Sequence, residues 1–98
     1  MVEVRLSVTA NADLAEIDAY GTEQFGIDAA GSYLQAFDKI FERLGRFPHS
    51  GEERLDYGQG IRCVFYRSHR ILYLVEADRI VIARVLHHSR DVPRHLKP

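Results

Sequence analysis

A segment near the C-terminus contains the side chains best suited to chemistry. An arginine can hold a phosphate and a histidine can transfer a proton near neutral pH, so Arg84, His87 and His88 are candidate catalytic residues that could bind a phosphate or neutralise a leaving group. Successive strand residues point to opposite faces, so the two histidines can share a site only if the strand ends between them. A structural role is the alternative, because an arginine in an apolar strand needs a partner, for which Glu16 or Asp18 is suitable.

A second group of basic and aromatic residues lies upstream: Arg62, Tyr66, Arg67, His69 and Arg70. Arginine and aromatic side chains on one sheet suit nucleic acid or an acidic peptide. As solvated charges on an edge strand, they would instead discourage aggregation. The residues predicted to bind a partner are Arg62, Tyr66, Arg67, Arg70 and Arg90.

Charge is divided unevenly along the chain, although its formal net charge is only −1. Residues 1–56 contain eleven acidic and five basic residues, whereas residues 57–98 contain three acidic and eight basic residues. The halves therefore carry −6 and +5. This asymmetry favours an acidic or polyanionic partner on the C-terminal half, unless the two sets of charges simply cancel in space.

Several common kinds of site have no signature in the sequence. It contains no Gly-rich phosphate loop, no HExxH motif and no nucleophile elbow. The single Cys63 cannot form an internal disulfide or anchor a cysteine-based zinc site, and its apolar surroundings favour a buried structural thiol. We therefore predict neither a metal nor a cofactor.

The length of 98 residues and the ordinary globular composition predict one domain, residues 1–98. No apolar run approaches the roughly 20 residues needed to span a bilayer. The first residues lack the basic and then apolar pattern of a signal peptide, and the lone cysteine suits a reducing compartment. We expect a cytoplasmic protein with no membrane association.

The first half of the chain predicts one strand and two helices. Alternation over Val2–Val8 indicates a half-buried strand, and Thr9 or Asn11 could cap a helix that runs to about Phe25, with Gly26 as its stop. The apolar side of this helix is predicted to hold Ala10, Leu14, Ile17, Gly21 and Phe25, with Gly21 marking close approach of a neighbouring backbone. Asp28 is predicted to cap a second helix, whose apolar face comprises Ala30, Tyr33, Leu34, Phe37, Ile40, Phe41 and Leu44.

The second half predicts three strands. They cover Ile61–Arg67, Arg70–Glu76 and Arg79–His87, with hairpin-short turns at Ser68-His69 and Ala77-Asp78. The last strand is apolar on both faces and is predicted to be central. The fold class is α+β with the order β-α-α-β-β-β, a helical hairpin packed on a small, mostly antiparallel sheet.

The order and spacing of several motifs resemble the RelE/ParE superfamily of type II toxin–antitoxin toxins, and its ParE branch most. The C-terminal half shows Ile61-Arg62, Phe65-Tyr66, His69 to Tyr73, Arg79 to Ile82, Arg84 to His87 and Arg90-Asp91. The opening shows a strand, then Ala12-Asp13-Leu14, Ile17 and Tyr20, and later Phe47-Pro48 before Gly51. The resemblance spans nearly the whole chain.

This resemblance implies a RelE/ParE-like fold and a cognate, ParD-like antitoxin that wraps the toxin and represses their shared operon with it. ParE-type toxins inhibit DNA gyrase and block replication, and they are associated with plasmid stabilisation. RelE-type relatives instead cleave messenger RNA on the ribosome with basic residues and a C-terminal aromatic residue or histidine. The tail from His88 to His95 contains no tyrosine and resembles ParE. We therefore expect a gyrase inhibitor without catalysis of its own, with a ribosome-dependent nuclease, or an inactive antitoxin-binding member, as the alternatives.

Overall fold

A computed structural model describes residues 1–92 of the chain. Its elements, in order, are β1 (Glu3–Leu6), α1 (Val8–Phe25), α2 (Ile27–Arg46), β2 (Glu52–Glu53), β3 (Ile61–Tyr66), β4 (His69–Val75) and β5 (Arg79–His87). The strands form one sheet in the order β1-β5-β4-β3-β2, in which only β1 and β5 pair in parallel. The predicted helical hairpin on a small, mostly antiparallel sheet is confirmed, and β2 is an addition to the predicted order.

Strand β5 is the centre of the molecule. It pairs with β1 on one side and β4 on the other, which confirms the position predicted from its apolar run. Its inner face packs against the helices in a core that includes Ile80, Ile82 and Val85 together with Phe37 of α2. A second, smaller cluster on the opposite face contains Cys63, whose pKa is raised by burial. The predicted structural role of this thiol is thereby supported.

Helix α1 begins earlier than predicted because tertiary contacts hold its cap. The Ser7 hydroxyl accepts from the Ala10 amide at 2.9 Å and donates to the Ala83 carbonyl at 2.8 Å. The prediction of Thr9 or Asn11 as the cap was therefore wrong. Ser7 stabilises the helix start and also joins it to the middle of β5.

The junction between the two helices is one residue long. Gly26 has a φ of 93°, a conformation that side chains with a Cβ rarely adopt, so α1 can end and α2 can begin there. The prediction that Asp28 caps α2 was wrong, because Asp28 lies in its first turn. The close approach predicted at Gly21 is confirmed: a Cβ there would lie 3.3 Å from the Ala30 Cβ of the facing helix.

The β3–β4 hairpin turns one residue earlier than predicted. The turn consists of Arg67 and Ser68, and His69 already belongs to β4. Arg67 has a φ of 50°, the only positive φ of a non-glycine residue between residues 1 and 92. Two-residue hairpin turns favour this conformation, which is normally supplied by Asn, Asp or Gly.

Candidate partner-binding groove

The first candidate residue, Arg84, is paired with an acidic residue of the protein itself. Its Nε and Nη2 donate to the two carboxylate oxygens of Asp13 at 2.9 and 3.0 Å. The same carboxylate accepts from the Val85 amide at 2.9 Å, so one acid joins α1 to both backbone and side chain of β5. The predicted partners, Glu16 and Asp18, were wrong. The hydrogen bond to Asp13 raises the pKa of Arg84, because it favours the charged guanidinium.

The two neighbouring histidines do come together. Strand β5 ends at His87, and the following turn brings the His88 ring to within 4.4 Å of the His87 ring, centroid to centroid. His69 of β4 is directly opposite His87 and its ring centroid lies 5.4 Å away. The condition for a shared site, a strand that ends between the histidines, is therefore met.

His69 is the most enclosed of these three rings. Its Nδ1 lies 2.7 Å from the Tyr33 hydroxyl, and its ring contacts the edge of Phe37. Burial lowers the pKa of His69, and the nearby His87 and His88 lower it further because a second positive charge would be repelled. The ring is therefore mainly neutral at pH 7.

Two of the predicted partner-binding arginines serve the fold. Arg62 donates to the carbonyls of Gly51 and His49, which holds the loop after α2 against β3. Arg70 donates to the Tyr57 hydroxyl and to the carbonyls of His88 and Arg90, which holds the turn that follows β5. Their donors are directed at the protein itself, so any contact with a partner would have to compete with these bonds.

The remaining predicted residues lie on or beside a groove between the helical hairpin and the ends of β4 and β5. Arg67 and Arg90 line it, whereas Tyr66 packs beneath it against Tyr33, with ring centroids 5.4 Å apart. The groove has a volume of about 760 Å³. Its lining residues are Asp13, Glu16, Ile17, Tyr20, Gly21, Phe25, Ala29, Ala30, Tyr33, Arg67, Ser68, His69, Val85, Leu86, His87 and Arg90.

The two walls of this groove differ in chemistry. The helical wall is largely apolar, and at its rim Tyr20 and Phe25 are 63% and 71% exposed. The opposite wall carries Arg67, His69, His87 and Arg90, a set that we call the cationic end of the groove. Phe25 was predicted to lie on the packed, apolar side of α1, and this prediction was wrong because its side chain is exposed. Sequence periodicity marked Ile17 and Tyr33 as apolar positions but contained no signal that the space between them is open.

Other kinds of site are not represented in the part of the chain that the structure describes. Between residues 1 and 92, no group of three or more His, Cys, Asp or Glu side chains is arranged to hold a metal ion. No helix in this range is both long and apolar enough to cross a membrane. The groove is therefore the candidate site that we pursue.

Two solved structures share this arrangement of helices and strands. One, described as "Chromosomal ParDE TA system from P. aeruginosa", aligns with a TM-score of 0.78 and 20% identity, over 89% of this chain and 96% of that chain. The other, the toxin-antitoxin complex RelBE2 from Mycobacterium tuberculosis, aligns with a TM-score of 0.68 and 23% identity, over 88% and 96%. These similarities show the fold, which is the RelE/ParE-like fold predicted from the sequence.

Sequence comparison specifies the branch. Residues 4–92 match the family described as "ParE toxin of type II toxin-antitoxin system, parDE". Toxin ParE1 of Caulobacter vibrioides is 32% identical over 96 residues, which cover 98% of this chain and 99% of that protein. The chain therefore belongs to the ParE family of type II toxin–antitoxin toxins.

Proposed function

We propose that this toxin inhibits DNA gyrase by protein–protein contact and that a ParD-like antitoxin neutralises it by inserting a segment into the groove. The groove carries the proposal. Its volume of about 760 Å³ and its apolar helical wall suit a row of side chains from a partner segment. Large exposed apolar side chains beside a concave surface, here Tyr20 and Phe25, are typical of a protein interface.

Charge favours an amphipathic and partly acidic segment. One wall of the groove offers apolar contacts and the other offers the guanidinium groups of Arg67 and Arg90. Complementary charge fixes the direction of a bound segment, and apolar burial contributes most of the affinity. The titles of both structural relatives describe toxin–antitoxin assemblies, which supports the same kind of partner here. We propose that this encounter takes place in the cytoplasm. We also propose that residues 1–98 act as a single domain.

The position of Arg84 argues against catalysis. A nuclease needs its arginine to face the scissile phosphate, but both donors of the Arg84 guanidinium that face α1 are bound to Asp13. A protein inhibitor needs no such group. The proposal requires no metal and no cofactor.

The proposal is tested with purified protein and DNA gyrase. We expect loss of supercoiling activity, and its recovery when the antitoxin encoded by the neighbouring reading frame is added. Phe25→Ser should weaken antitoxin binding, whereas Phe65→Ser should not, because Phe65 is a similarly exposed aromatic residue (59%) that does not line the groove. Unaffected gyrase would refute the target, and equal effects of the two substitutions would refute the groove as the antitoxin site.

A second candidate, a ribosome-dependent messenger RNA nuclease, is favoured by the histidines. His87 and His88 are exposed and adjacent, and Arg90 follows on the same turn. Expression of the toxin alone separates the candidates: filamentation with an SOS response supports gyrase inhibition, and cleaved messages with rapid loss of translation support the nuclease. A His87→Gln, His88→Gln variant that remains fully toxic would exclude these histidines as nuclease residues. Antitoxin binding without any growth defect would identify an inactive member.

A further inference from the structure

The cationic end of the groove has features that general antitoxin binding does not require. Arg67 occupies a turn position whose positive φ is unfavourable for a residue with a Cβ. Asparagine or glycine would adopt this conformation more readily. A strained residue whose side chain lines a groove is typical of a functional position.

The Arg67 guanidinium is directed along the surface. Its Nε donates to the Tyr66 hydroxyl at 3.1 Å, and its carbon lies 5.6 Å from the centroid of the Tyr66 ring. Among residues 1–92, the ion pairs of the protein include neither Arg67 nor Arg90. Both arginines therefore keep donors for a ligand.

His87 lies beside them, and the turn after β5 holds its ring. The Ser89 amide donates to His87 Nδ1 at 3.2 Å, so this nitrogen is an acceptor and the Nε2–H is the donor of the ring. The Ser89 hydroxyl also lies 2.7 Å from Nδ1.

The groups around His87 make this end of the groove cationic. Those on the same side are cationic or neutral: Arg67 from the β3–β4 turn, His69 from β4, Tyr33 from α2, and His88 and Arg90 after β5. On α1, Asp13 is already paired with Arg84, and Glu16 lines the facing wall. An anion that enters between these walls would be attracted by both arginines.

We propose that the cationic end of the groove is a carboxylate-binding site, in which Arg67 and Arg90 donate to an acidic side chain of the antitoxin and His87 lies beside it. This inference rests on the proposed antitoxin binding and adds the chemistry of the contact. A planar carboxylate matches an arginine fork, and the apolar helical wall beside it suits a peptide. The site therefore binds one acidic side chain of the antitoxin.

The carboxylate contact is tested by Arg67→Asn. We expect antitoxin affinity to fall about tenfold, since a hydrogen bond to a charged group is lost. The melting temperature should rise by about 4 °C, because asparagine suits the turn. Undiminished affinity would overturn the site. Binding of a short single-stranded RNA that depends on Arg67, with antitoxin affinity unchanged, would identify the anion as a phosphate and also overturn the proposal.

Failure of the proposed function gives a different result. An antitoxin that binds neither the unmodified toxin nor any variant refutes the groove as its site altogether. An antitoxin that binds normally but is insensitive to Arg67→Asn refutes only the carboxylate site.

Discussion

The junction of α1 with β5 and the cationic end of the groove use arginine in opposite ways. At the junction, the Arg84 side chain is 16% exposed, and its charge is matched by a carboxylate that is 8% exposed. At the groove, Arg67 is exposed, sits on an unfavourable backbone and has no ion pair among residues 1–92. Residue type is the same in both places, and the neighbouring groups decide whether the charge maintains the fold or is available to a partner.

The strongest test of this comparison is Asp13→Ala. The substitution leaves Arg84 with an unmatched, mostly buried charge and removes the acceptor of the Val85 amide. We expect the free energy of unfolding to fall by about 3 kcal/mol, measured by urea denaturation. Glu42→Ala, which removes an exposed ion pair with Arg46, is the control and should cost at most about 0.5 kcal/mol. Equal losses in the two variants would show that the junction is no more than a surface pair.

Arg70→Ala should have an intermediate effect on stability and should also affect antitoxin binding. Loss of the bonds to the His88 and Arg90 carbonyls should lower the free energy of unfolding by about 2 kcal/mol. It should also weaken antitoxin binding, because the turn that Arg70 holds in place positions Arg90 in the groove. Arg79→Ala, in an exposed pair with Glu76, is the matched control for both measurements. Weaker binding with unchanged stability would instead make Arg70 a direct contact.

The smallest effect should be a pH dependence from His69. Its pKa is lowered in the folded protein, so the unfolded chain binds more protons once the pH falls below the ordinary histidine value near 6.5. The contribution of neutral His69 is therefore fully present above pH 6.5 and is lost as the pH falls toward its folded pKa. His69→Gln should flatten the slope of stability against pH in this range, whereas His49→Gln should leave it unchanged. A slope that His69→Gln does not alter would assign it to other groups.

Local pattern was sufficient for most of the fold. The apolar run of β5 predicted its central position, and the apolar face of α2 predicted the core side chains Phe37, Phe41 and Leu44. Boundaries were less predictable wherever a distant contact decides them. Ser7 caps α1 partly because Ala83 holds its hydroxyl, and two-residue β2 exists only through its pairing with β3.

The site was harder to predict because it depends on how elements cross. Asp13 and Glu16 are about one helical turn apart, roughly 5 Å along the axis, so sequence spacing alone cannot tell which of them reaches Arg84. The shift of the β3–β4 turn followed from a positive φ at Arg67, which residue preferences disfavour. Arg62 and Arg70 donate hydrogen bonds to backbone carbonyls, and no residue pattern in the sequence predicts such contacts.

The parallel pairing of β1 with β5 has a consequence for the timing of folding. Ser7 and Ala83, which are bonded to each other, lie 76 residues apart, so the sheet closes through a contact between distant parts of the chain. On the ribosome, β1 emerges first and has no neighbour to pair with until β5 has been made. Both walls of the groove are complete only then, since one of them includes the end of β5. On the function proposed above, a growing chain would lack the completed groove, and an antitoxin directed at this groove would meet only finished molecules.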